Sequence, residues 1–82
     1  MEMSTFLELA HKMYPDIHIE VAYSANAPGY NLYLYADDVR VCVYIKPGLS
    51  PAELGKCLHE AVDALNVQMS GLGRFLRGKG GV

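Results

Sequence analysis

The sequence predicts an α+β fold in the order α-β-β-β-α, a three-stranded antiparallel meander with two helices packed on one of its faces. Three observations predict it. Apolar residues recur at helical spacing near both ends of the chain. The period changes to two over residues 17–46. The breaks between the alternating segments are short, which favours antiparallel neighbours over crossovers.

The first helix is expected over residues 5–14. Thr5 and Glu8 have the spacing of a capping box. Phe6, Leu9, Ala10 and Met13 form its apolar stripe, with Glu8, His11 and Lys12 largely opposite. Pro15 ends it, because a residue before proline avoids the α region. Ile17, Ile19, Val21 and Tyr23 then alternate with His18, Glu20 and Ala22 as a half-buried strand. Pro28-Gly29 suits a turn, since proline presets φ and glycine accepts a positive one.

The second strand, residues 30–36, sets Leu32 and Leu34 on one face and Asn31, Tyr33 and Tyr35 on the other. Asp37-Asp38 is a tight hairpin. The third strand, residues 39–46, separates Val39, Val41, Val43 and Ile45 from Arg40, Cys42, Tyr44 and Lys46. Ser50-Pro51-Ala52-Glu53 is the clearest local signal. Serine can cap free amides, proline sits where its missing N–H costs nothing, and Glu53 closes the box. The second helix should run from 51 to about 68 on a stripe of Leu54, Cys57, Leu58, Ala61, Val62, Leu65 and Met69. The expected core is Phe6, Leu9, Met13, Ile19, Val21, Leu32, Leu34, Val41, Val43, Leu58, Val62 and Leu65.

The element order resembles the double-stranded RNA-binding domain in outline. That fold opens its second helix on a run of lysines that meet phosphates. Here the same place reads Ser50-Pro51-Ala52-Glu53-Leu54-Gly55-Lys56, with one lysine and one glutamate. The likeness therefore extends to topology and not to the phosphate-binding residues.

With 82 residues there is room for one core. The apolar runs are too short for a helical membrane span, and the opening Met1-Glu2-Met3-Ser4 does not read as a secretory leader. Two cysteines, Cys42 and Cys57, make no disulfide framework, which points to a reducing, cytoplasmic setting. The net charge of −2 hides an asymmetry. Residues 1–69, the expected domain, hold four basic and nine acidic side chains. Residues 70–82 form a basic, glycine-rich tail, expected to be partly mobile, with Arg74, Arg77 and Lys79 and no acid.

Function is sought on the sheet face that the helices leave open. Tyr33, Tyr35 and Tyr44 stand there with His18, Arg40 and Lys46. Tyrosine supplies contact area at low entropic cost and is enriched at interfaces. Aromatics also stabilise any exposed sheet by cross-strand pairing. A stacking platform for single-stranded nucleic acid is disfavoured, because the body is acidic and few bases accompany the patch. The tail, through Arg74, Phe75, Arg77 and Lys79, is a second candidate binding element.

Enzymatic chemistry finds little footing. His11, His18 and His59 lie on three different elements without ligand spacing, so neither a metal nor another cofactor is expected. Asp37-Asp38 are adjacent turn acids and not a carboxylate pair across a cleft. The expectation is a small protein-binding module, an inhibitor or adaptor that masks a basic site on a larger protein. Anti-defence proteins of phages and mobile elements share this size and charge. The alternatives are a homodimer through the open sheet face and a nucleic-acid-associated protein.

Overall fold

The structure, a computed structural model, describes residues 2–80, with side chains up to residue 70. Its elements are α1 (Met3–Met13), β1 (His18–Tyr23), β2 (Tyr30–Ala36), β3 (Val39–Ile45) and α2 (Pro51–Gly80). The strands form one antiparallel sheet in the order β1-β2-β3. This is the α-β-β-β-α meander expected from the periodicity.

Strand alternation decides the two faces. Ile19 of β1, Leu32 and Leu34 of β2, and Val41 and Ile45 of β3 are buried on one side. They share a core with Phe6 and Ala10 of α1 and with Leu54, Leu58, Ala61, Val62 and Leu65 of α2. Both helices therefore cover the same aliphatic face, α1 against β1 and α2 against β2 and β3. Burying a leucine or isoleucine side chain contributes about 1.5–3 kcal/mol, so this single layer is the main source of stability.

Two details of α1 differ from expectation. Its stripe is Phe6 and Ala10, flanked by half-buried Met3, Leu7 and Tyr14. Leu9 and Met13 remain 43% and 63% exposed. The helix has rolled toward its 3-7-10-14 edge, because that edge joins the large side chains Leu7 and Tyr14 to Phe6. The capping box at Thr5 and Glu8 does not form either. The helix starts earlier, with Glu2 at the N-cap, no side-chain cap bond, and Phe6 N–H donating to the Glu2 carbonyl at 3.0 Å. Extending the helix backward brings half-buried Met3 against the core.

The turns behave as their residues dictate. Asp37 adopts a left-handed φ of 51° in the two-residue hairpin, a conformation aspartate tolerates better than most side chains. Gly29 has φ 118°, and a Cβ there would collide with the Ile45 carbonyl oxygen. At α2 the capping box forms as expected. Glu53 N–H donates to Ser50 Oγ at 3.2 Å and Ser50 N–H donates to Glu53 Oε1 at 3.0 Å. The helix passes its expected end near residue 68 and runs to Gly80. Interior glycines cost about 1 kcal/mol each but keep the N–H that continues the ladder.

Candidate functional site

The open face is a grid set by strand register. His18 pairs with Tyr35 and Tyr35 with Arg40, Glu20 with Tyr33 and Tyr33 with Cys42, and Ala22 with Asn31 and Asn31 with Tyr44. Residues in one row point the same way, so nine side chains from three strands form one surface that neither helix covers.

Aromatic stacking orders its centre. The Tyr33 and Tyr35 rings lie 6.5 Å apart at an interplanar angle of 27°. The His18 ring meets Tyr35 at 5.5 Å and 57°. Arg40 places its guanidinium carbon 5.8 Å from the Tyr33 centroid, within cation–π range. Asn31 Nδ2 donates a long 3.4 Å bond to the Tyr33 hydroxyl. Tyr33, Tyr35 and Asn31 are half-buried by their neighbours, while His18, Glu20, Arg40 and Cys42 are exposed. The face is thus an aromatic strip on β2 with polar groups on both flanks. The His18 Nε2–Glu20 Oε2 contact at 3.5 Å joins two well-exposed groups, and such pairs add little stability.

Two predicted members of the patch sit differently. Tyr44 donates its hydroxyl to the Pro28 carbonyl, so its ring holds the β1–β2 loop to β3 as well as facing solvent. Lys46 lies just past the end of β3 and lines a cleft with Tyr44, Leu49, Glu53 and Lys56 at the α2 side of the sheet edge. Lys46 also helps hold the Glu53 carboxyl below its ordinary range, after the larger effect of the Ser50 hydrogen bonds. The open face therefore gathers His18, Tyr33, Tyr35 and Arg40 tightly, Tyr44 at one corner, and leaves Lys46 at the rim. Arg74, Phe75, Arg77 and Lys79 lie outside the residues whose side chains are described.

No protein-family model, curated protein or solved structure matches this chain. Among the described residues no cluster of three or more histidine, cysteine or acidic side chains is arranged to hold a metal ion. No helix among them is long and apolar enough to cross a membrane.

Sequence reasoning missed one aromatic pair, exposed Tyr23 on half-buried Tyr30. Tyr23 and Tyr30 stack at 5.1 Å and 28° on the helix side of the sheet, beside the start of α1, where Met3, Ser4 and Leu7 line a cavity with them and Tyr23 stays 81% exposed. The alternation placed Tyr23 on the core face correctly. Only the placement of α1 shows that it lies beside Tyr23 without burying it.

Proposed function

We propose that this chain is a non-enzymatic protein-binding module that docks through the open face of its sheet. The observation that carries the reading is the Tyr33–Tyr35 strip, ordered by His18 and Arg40 and left bare by both helices. Ordering tyrosines before contact lowers the entropic cost of binding. A central aromatic pair with an adjacent arginine is the composition of an interface hot spot.

The partner's chemistry follows from charge. The body carries nine acids against four bases over residues 1–69, so its field attracts a basic surface and repels phosphate. An inhibitor or adaptor that masks a basic site on a larger protein fits this balance, in a reducing, cytoplasmic setting. The same size and charge are shared by small anti-defence proteins of phages and mobile elements, which makes a viral origin part of the proposal.

Affinity capture from the native cells, at low and high salt, with wild-type chain and with Tyr33→Ala/Tyr35→Ala tests it. Tyr44 is left intact because its hydroxyl holds a loop. One discrete protein retained by the wild type and lost by the double variant supports the reading. Equal retention by both, or recovery that nuclease abolishes, overturns it.

A further inference from the structure

The backbone hydrogen-bond phase of the sheet follows from a single bond at the first hairpin. Ser24 N–H donates to the Gly29 carbonyl at 3.1 Å. In an antiparallel pair, bonded and non-bonded positions alternate. Ala22/Asn31, Glu20/Tyr33 and His18/Tyr35 are then the bonded pairs, and Ile19 and Val21 turn their polar groups outward. His11 agrees with this phase, since its Nε2 donates to the outward Ile19 carbonyl at 3.0 Å. On β2 the remaining positions, Tyr30, Leu32, Leu34 and Ala36, bond to Ile45, Val43, Val41 and Val39. The N–H and C=O groups of Arg40, Cys42 and Tyr44 therefore point away from the sheet along the free edge of β3.

The two edges are treated differently. The β1 edge has α1 packed against it and His11 bonded to it. The β3 edge has α2 packed on its helix face, but among the described residues no side chain is bonded to its outward backbone groups. It contains no proline, and its seven residues pair one-to-one with β2, so no bulge twists it away. Among the described residues no other hydrogen bond reaches its outward groups. A bare, regular edge is a template for another strand.

We propose that two copies of this chain join through their β3 edges, antiparallel across Cys42, into one continuous sheet. A two-fold axis at Cys42 puts Cys42 opposite its own copy and Arg40 opposite Tyr44 in both directions. On the open face those are two cation–π pairs across the junction. On the helix face the cleft beside β3 is lined by Lys46, Glu53, Lys56 and Glu60 among others. In the proposed dimer the same axis runs the two α2 helices antiparallel, with Lys56 of each placed against Glu60 of the other. Mixed charge of this kind is complementary to a second copy of itself across a two-fold axis. Space allows it. α2 rests on both β2 and β3, about one strand spacing from the junction, which separates the two helix axes by about 10 Å. The inference is independent of the binding reading above, because it uses the edge and leaves Tyr33 and Tyr35 free on a doubled face.

The full chain is examined by light scattering across micromolar concentrations, and Cys57→Ser is treated with a short bismaleimide. A concentration-dependent dimer is expected, with a Cys42–Cys42 cross-link that Cys42→Ser abolishes. Cys42→Lys sets two lysines directly opposite and is expected to weaken the dimer by up to about fivefold, with unchanged circular dichroism because the site is exposed. Lys56→Glu and Glu60→Lys should each weaken it, and the two together should restore it. A chain that stays monomeric throughout overturns the proposal. So does a dimer indifferent to Cys42→Lys, or one lost on Tyr33→Ala/Tyr35→Ala but kept by Cys42→Lys.

Discussion

The Tyr44 hydroxyl donates to the Pro28 carbonyl and so ties the third strand to the loop between the first two. One side chain thus serves the open face and the hairpin beneath it. Tyr44→Phe removes only the bond and should lower stability by about 0.5–1 kcal/mol, read as a shift in the urea midpoint. Partner affinity should change far less than on Tyr33→Ala, which keeps that bond.

Gly29 is the companion constraint on the same loop. Its φ of 118° and the Ile45 carbonyl against it leave no place for a side chain. Gly29→Ala should cost about 2 kcal/mol or more through strain and a shifted β3 end. Thermal unfolding monitored by circular dichroism checks this, with Gly55→Ala as the contrast. Gly55 is helical with open space around it, so alanine there should raise stability by up to about 1 kcal/mol.

The α2 capping box makes stability depend on pH in one direction. The Ser50 bonds lower the folded-state pKa of Glu53 below its ordinary value. The ionised carboxylate's contribution is therefore present above the unfolded pKa and is lost as pH falls through the folded one. Glu53→Gln should flatten that part of the acid limb in urea titrations taken from neutral to low pH. Ser50→Ala should cost about 1 kcal/mol at neutral pH.

The roll of α1 separates its leucines. Leu9→Ala, at a side chain 43% exposed, should cost no more than about 1 kcal/mol. Leu34→Ala, in a fully buried position, should cost about 2–5 kcal/mol. Equal losses at the two sites, measured by denaturant unfolding, would restore the Phe6-Leu9-Met13 stripe and remove the observed one.

Much of this molecule was legible before folding. Period-two alternation in Ile17–Tyr23, Tyr30–Ala36 and Val39–Ile45 is a local property of the backbone pleat. It placed Tyr33, Tyr35, Arg40 and His18 on one face without knowledge of any contact. Ser50 and Glu53 were equally readable, because a capping box closes within one turn. Besides the later end of α2 and the place of Lys46 past β3, the errors fell on α1, where Leu7 and Tyr14 compete with Leu9 and Met13 for the core. Two overlapping stripes on one helix differ by a modest rotation, and only the surface it packs against selects between them.

The sequence by itself determined the order of the elements, the two faces of the sheet and the start of α2, since each follows from residues within a few positions of one another. The tertiary structure alone decided which edge is sheltered and which is bare. His11 reaching Ile19 and α1 lying along β1 depend on how far each helix extends and where it sits, quantities set by packing between residues distant in the chain.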